Sequence, residues 1–476
     1  MMRKSIVCIA FVFASQMFAE IQNDNFESEK VYRFEEIEST KDNLQIQGSS
    51  QTPTNKGEAD KTSGRLFTLA ELLEGAKKNY NLEAKELAIL QAQAINRAAY
   101  GEFLPTLDGA YQYQDTDNPS MRLKAHTSSA KANWEIFSGF KTYNKVREKG
   151  SLYRASIEDK EHTKDQLFLN IIEQYYGYFT NRAQLLSLEQ KRTQLESNIR
   201  RVERLYNAGL TTIDDVESLR AEVLATEHEI ANIKMEIEKN KFMLSLLSNT
   251  EVEALERKTI KTPLFKLDEN RHDLNMLNFQ AQSAKYQARQ INYLPIVSVS
   301  DTYVINSDIT KGGLRFKGNP GDFFPGATSW DSMYPMMQRQ FPLNQNQIMI
   351  SATIHLDALT IYRQNEAARL AYMKSLKELA YKKEEQKKDE RMYRKSLEIA
   401  VAKIKASEAA LRSANIAFDN VAKKYDAQIL NFTDYLQSLT KKVEAEATYN
   451  QALNNYEMQK AYYIYYSGQD LAQHIE

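Results

Sequence analysis

Cysteine is almost missing from this chain: Cys8 is the single one in 476 residues. A bridge needs two, so no disulfide frame holds the fold. Proline is scarce as well, nine in all, and their placement leaves two proline-free runs, 120–262 and 343–476. Because a proline inside a helix costs roughly 3 kcal/mol, such runs read as very long helices. Only five of the sixteen glycines fall within them. This shortage of turn residues excludes a sandwich of short strands and a doubly wound sheet. Charge of either sign is not in excess, since 62 Lys and Arg face 63 Asp and Glu for a net −1. The basic footprint of a nucleic-acid binder is therefore absent. Tryptophan occurs twice, tyrosine 27 times. Tyrosine suits sites that are dry at one end and wet at the other, such as large interfaces and membrane belts.

The N-terminal segment 1–19 has the layout of a secretory signal: Arg3 and Lys4, the apolar run Ile6 to Phe13, and the small Ala19. The run is far short of the roughly 20 residues that span a bilayer as a helix. Cys8 comes too early, without a small-residue lead-in, for a lipid attachment site. Residues 20–65 are acidic, amide-rich and poor in large apolar groups, the composition of a flexible arm.

A helical pattern starts at Leu66, with Thr68 and Glu71 as a capping box, and runs to about Ala99. After Phe103-Leu104-Pro105 the period changes to two. Leu107, Gly109, Tyr111 and Tyr113 share one strand face, and a second strand puts Ala130, Ala132, Trp134 and Ile136 on one side. From Lys141 to Tyr206 the apolar residues Leu185, Leu188, Leu195, Ile199, Val202 and Tyr206 recur at coiled-coil steps. A turn at Asn207-Ala208-Gly209-Leu210 sends the chain back through Leu219, Val223, Ile230, Ile233 and Ile237.

The pattern then restarts. Gln280 to Ala284, leading to Leu294-Pro295, echoes Gln91 to Ala94, leading to Leu104-Pro105, 190 residues on. A third strand places Val297, Val299, Tyr303 and Ile305 on one face, and a fourth places Ile348, Ile350, Ala352, Ile354 and Leu356 on one face. Beyond them Leu356-Asp357-Ala358 matches Phe137-Ser138-Gly139, Tyr425 matches Tyr206 and Asp434 matches Asp215, now 219 residues on. The larger offset implies an inserted loop, 306–346, rich in proline, glycine and aromatic residues such as Phe316 and Trp330. A second rod carries Leu397, Val401, Ile404, Leu411, Phe418 and Tyr425, and the chain returns after Gln428. Two repeats result. The first is 66–262, with strands about 103–115 and 129–138 and a helical hairpin about 141–249. The second is 263–476, with strands about 295–305 and 347–357 and a hairpin about 363–466.

One-sided strands of about ten residues in an exported chain have the length of outer-membrane strands. Four cannot close a barrel, since the smallest has eight, so if these strands span a membrane at least two chains must share one. A hairpin about 100 Å long likewise cannot bury its seam alone and must assemble into a fibre or a tube. Two small soluble hairpins packed on helices are the competing reading of the strands.

The Leu104-Pro105 and Leu294-Pro295 strand starts, the exit Trp134 to Gly139 and the turn Asn207 to Val216 resemble the TolC family of outer-membrane efflux channels, over about 66–466. The resemblance implies a mainly α protein with membrane β structure: a homotrimer whose twelve-stranded β-barrel in outer-membrane lipid continues into a periplasmic α-helical barrel. It implies a periplasmic adaptor and an inner-membrane pump as partners, export of drugs, toxins or proteins, and no cofactor and no chemistry of its own. At the entrance the family carries an aspartate ring, matched by Asp434; its second aspartate falls on Gln437. A latch of tyrosine and arginine onto aspartate is matched by Tyr425 and Asp215, but the arginine position is Leu430. Asp434 also has a simpler reading, as a helix N-terminal charge favoured by the macrodipole.

Enzyme readings find little here. The histidines at 126, 162, 228, 272, 355 and 474 show no metal-ligand spacing, and no glycine-rich phosphate loop occurs. An exported coiled-coil structural or adhesion protein would explain the rods but not the recurring strands. An inner-membrane adaptor would need an anchor and further β-rich domains. The 306–346 loop reads either as a receptor surface or as a lid at the barrel mouth.

Overall fold

The computed structural model describes residues 66–119, 121–306, 314–323, 326, 328–330, 344–354, 357–427, 429–430 and 432–475. The signal segment 1–19, the arm 20–65, Leu356, Gln428 and most of the 306–346 loop lie outside them. In chain order the elements are β1 (Leu66–Phe67), α1 (Leu69–Ala76), α2 (Tyr80–Gly101), β2 (Thr106–Asp117), β3 (Met121–Phe137), α3 (Lys141–Asn207), α4 (Ile213–Ser248), β4 (Ala254–Leu255), α5 (His272–Arg289), β5 (Ile296–Asn306), β6 (Leu314–Phe316), β7 (Asn344–Thr353), α6 (Ala358–Asp426) and α7 (Phe432–Ser467).

The first helix begins where the sequence supplies a cap. Thr68 Oγ1 accepts from the Glu71 amide at 3.3 Å while Glu71 Oε2 accepts from the Thr68 amide at 2.9 Å. The single helix expected from Leu66 to Ala99 is instead two, because Asn79 interrupts it. Its Oδ1 caps α2 by accepting from Asn81 N at 2.8 Å, and its Nδ2 donates to the carbonyls of Leu246 and Leu247 at the end of α4. One side chain thus serves two helix ends, which satisfies groups that a continuous helix would have left bare.

The strands form one antiparallel sheet of order β2-β3-β5-β7, with β6 pairing β3. Its register aligns the four apolar faces read from sequence. Leu107 pairs with Ala132, Ala132 with Asp301 and Asp301 with Ile348; adjacent rows hold Trp134, Val299 and Ile350, and Gly109, Ala130, Tyr303 and Asn346. Residues opposite each other share a face, so this side is largely apolar, with Asp301 set into it. Asp108, Lys131, Thr302 and Gln347 form the polar row behind. The apolar face is not buried within the chain, Leu107 being 81% and Ile350 72% exposed.

β3 starts well before the expected residue 129, because its first half pairs with β2 as far as Asp117 opposite Arg122 and with β6 inside the inserted loop. That loop is therefore partly strand. Phe316 stacks on Trp330 at 4.5 Å, and the Trp330 indole donates to Gly318 O.

At the sheet's exit, Gly139 (φ +62°) and Phe140 (φ +62°) turn the chain into α3. A Cβ at Gly139 would lie 3.0 Å from Leu294 Cβ, so the glycine is required both by backbone and by the approach of the second repeat's strand start. Asn292 Nδ2 seals the approach by donating to Gly139 O at 2.8 Å.

α3 packs on α2, α4, α5 and α7, and α6 on α5 and α7. The main core gathers around the middle of α3: Phe168, Ile171, Ile172, Tyr175 and Tyr176 meet Leu69 and Leu72 of α1, Leu244 of α4 and Ile464 of α7. Tyr175 O–H donates to Glu256 O and Tyr176 O–H to Lys258 O. Part of the tyrosine excess serves such wet-ended burial. The expected seams hold in part: Leu188, Leu195, Val202, Leu219, Ile230, Leu397 and Phe418 are buried, whereas Tyr206 and Val401 are exposed. No helix among the described residues is long and apolar enough to cross a membrane.

Candidate functional site at the ends of the helical hairpins

Both hairpins turn by the same local rule. α3 ends as Leu210 N donates back to Leu205 O at 2.8 Å, with Gly209 at φ +71° supplying the left-handed residue. α6 ends with the matching bond, Ile429 N to Lys424 O at 2.9 Å. The returning helices then begin with acidic first turns, Asp214 and Asp215 in α4 and Asp434 in α7, which the helix dipole favours.

Below the turns the hairpins meet in a small core of their own. Leu195, Val202, Val216 and Leu219 come from the first; Phe418, Tyr425, Tyr435 and Leu439 come from the second. Tyr425 is 8% exposed and stacks on Tyr435 with centroids 4.7 Å apart. Burial pushes the Tyr425 hydroxyl pKa up, with a lowering influence from Arg201 and raising ones from Tyr435, Asp426 and Asp215.

The residues singled out from sequence fall into two groups. Tyr425 and Asp215 lie close enough for the carboxylate to act on the phenol; Asp215 is half-buried and accepts from Thr211 Oγ1. Asp434 and Gln437 are exposed, three residues apart on one side of α7. Leu430 is half-buried in the turn, and its apolar side chain has no charge to offer.

A charge does reach this place, from a residue the sequence reading passed over. Arg201, near the end of α3, sets its guanidinium carbon 4.7 Å from the centroid of the Tyr425 ring. Its Nη1 donates to Asp426 Oδ1 at 2.7 Å, and Nη2 to the carbonyls of Tyr425 and Asp426 at 3.3 Å each. Those carbonyls end α6, where intrahelical donors run out. Seven residues back, Gln194 Oε1 accepts from the Tyr435 hydroxyl, with Asn198 against the same group. Only Tyr425 had a visible signal, through its match to Tyr206; a pairing across 224 residues leaves none.

A sheet with one apolar face, set at one end of duplicated helical hairpins, is the architecture of outer-membrane efflux channels. Residues 74–250 match the family model described as outer membrane efflux protein. No curated protein sequence matches the chain. Solved structures do. The outer membrane protein VceC from Vibrio cholerae aligns with a TM-score of 0.70 at 15% identity, over 85% of this chain and 96% of that one. The CmeC outer membrane channel of Campylobacter jejuni gives 0.71 at 15%, over 90% and 94%. The open state of the MtrE outer membrane channel of Neisseria gonorrhoeae gives 0.68 at 13%, over 85% and 89%. These likenesses show a shared TolC-like fold.

Proposed function

We propose that this protein is the outer-membrane exit duct of a tripartite efflux or type I secretion system. It passively conducts drugs, toxins or proteins that an inner-membrane pump and a periplasmic adaptor deliver to it, and it performs no catalysis. The observation that carries the reading is the sheet: four strands in register, an apolar face exposed on one side and a polar face on the other. β2 and β7 are its outer strands, each paired on one edge only among the described residues. Open edges and an uncovered apolar face are costly in water. Pairing edge to edge in a trimer removes the edges, and outer-membrane lipid covers the face. The rods then prolong the barrel into the periplasm by about 100 Å. The family segment and the TolC-like fold support the same reading and lend none to a coiled-coil structural or adhesion protein.

At the periplasmic end Asp434, exposed at the start of α7, supplies one carboxylate per chain to the entrance. Gln437 one turn on supplies none, so the ring holds a single carboxylate layer. Asp215 with Tyr425 contributes to closure, without help from Leu430. The test is extraction from membranes, sizing, and insertion into planar bilayers. A trimer forming ion-conducting pores is expected, with Asp434→Ala lowering cation selectivity; a non-conducting soluble monomer would reject the duct. Selectivity unchanged in Asp434→Ala would reject the carboxylate ring alone.

A further inference from the structure

The rows of the sheet give its apolar face a height. From the row of Val297 through those of Val299, Asp301, Tyr303 and Ile305 to the row of Tyr113 and His126 are five two-residue steps, about 34 Å along the strands at about 3.4 Å per residue. Tilted by roughly 35–45°, as membrane strands are, they rise about 26 Å, which matches the apolar band of an outer-membrane barrel. Amphipathic rings close this height. The Tyr111 hydroxyl is hydrogen-bonded to His126 Nδ1 at 2.6 Å, and the Tyr113 ring lies 4.8 Å from the His126 ring; such rings suit the headgroup level. Beyond them the same face becomes charged. Asp115 stands opposite Lys124, Asp117 opposite Arg122, and Arg122 in turn opposite Arg315 of β6. The other face at this level holds the uncharged Gln114, Thr116, Leu123 and Ala125.

We propose that Arg122, Lys124 and Arg315 bind the phosphate headgroup of an anionic lipid in the leaflet that borders this rim. The inference rests on the duct reading, which puts lipid on the apolar face. Cations outnumber carboxylates here. Arg122 donates to both oxygens of Asp115 at 3.3 and 3.4 Å, Lys124 lies 3.7 Å from the same carboxylate, and Lys317 pairs with Asp117. Arg315, exposed and directly across from Arg122, is left without a carboxylate of its own among the described residues. Like charges directly opposite destabilise a strand pair, and exposed ion pairs contribute little to folding. An anion between the two guanidinium groups turns that repulsion into attraction. Phosphate fits, because guanidinium grips its oxygens two at a time and lysine adds a point charge. Position favours a lipid over a soluble anion: the cations lie just past the apolar band, on the face whose other rows meet acyl chains, so one molecule satisfies both parts of the surface.

The test reconstitutes the purified full-length protein into vesicles of equal parts phosphatidylcholine and phosphatidylglycerol and floats them on a density gradient. The protein is then re-extracted in mild detergent, and the lipids it retains are counted by native mass spectrometry. Native protein should keep phosphatidylglycerol severalfold over phosphatidylcholine. Arg122→Gln combined with Arg315→Gln should bring the two to parity, whereas Lys234→Gln, which removes an exposed cation from α4, should leave the preference as it was. Should the double variant fail to insert, Arg315→Gln alone carries the test and should lower the preference, since that exposed cation has no carboxylate to release. Equal retention by the native protein, or a preference kept by the variant, would overturn the site. So would inorganic phosphate that binds the lipid-free protein and displaces phosphatidylglycerol at matched concentration, which would assign the cluster to a free anion. Native protein that fails to float with any lipid mixture would refute the duct reading and the site with it; protein that floats without lipid preference refutes the headgroup site alone.

Discussion

Single side chains carry more of this protein's behaviour than its long regular helices suggest. Asp165 of α3 is an example outside the sheet. Its carboxyl is pushed up from 3.8 to about 6, mainly by burial; Asp470 and Glu161 add to the shift while His272 and Lys164 oppose it. The native state thus holds this proton more tightly than the unfolded chain does. The resulting stability is fully present below about 3.8 and is lost as pH rises through about 6. The unfolding midpoint should therefore fall across that window relative to an Asp165→Asn variant, as followed by circular dichroism; parallel pH profiles for the two proteins would refute it. Nothing in the sequence around Asp165 sets it apart from the other acids of α3, since its burial is produced by α5 and the C-terminal segment, more than 100 residues away. Tyr425 and Asp215 stood out because they match the tyrosine and the aspartate of the latch in the family that the sequence resembles, and each also has a counterpart in the other repeat, Tyr206 and Asp434. Arg201 did not, because a heptad seam marks apolar positions and is blind to a cation beside it.

For whole elements, the periodicities were enough to find rods and strands, and the departures have local causes. The first helix divides at Asn79 because that side chain bonds the end of α4, a partner met only after folding. Val401 leaves the seam, 38% exposed, while Leu397 one turn before it is buried. The Phe137-Ser138-Gly139 exit, noticed as a repeated motif, proves to be a joint where sheet becomes helix. Gly139→Ala should destabilise the protein by about 1–2 kcal/mol through the left-handed backbone alone, with the contact to Leu294 adding to it. Chemical denaturation of the purified protein measures this; a midpoint equal to that of the native protein would show that the joint relaxes. Loss of the Thr68 cap in Thr68→Ala should cost about 1 kcal/mol, readable in the same assay.

At the level of the whole molecule the sheet's two faces differ in what they can meet, one apolar and exposed, the other polar. Ile350→Arg places a charge on the apolar face and should cost about 2–4 kcal/mol if that face meets the bilayer midplane. Gln347→Arg, on the polar face, should be tolerated. The fraction of folded protein recovered from membranes compares them, and equal recovery of the two would argue against lipid on the apolar side. The sequence by itself determined the duplication, the rods, the strands and their apolar sides, since each is a short-range rhythm of residue types along the chain. Tertiary structure alone decided that the four apolar sides share one face, that the inserted loop lends a strand to β3, and that Arg201 reaches Tyr425 and Asp426. Those facts depend on register between distant segments, and register is set by the packing of the folded chain.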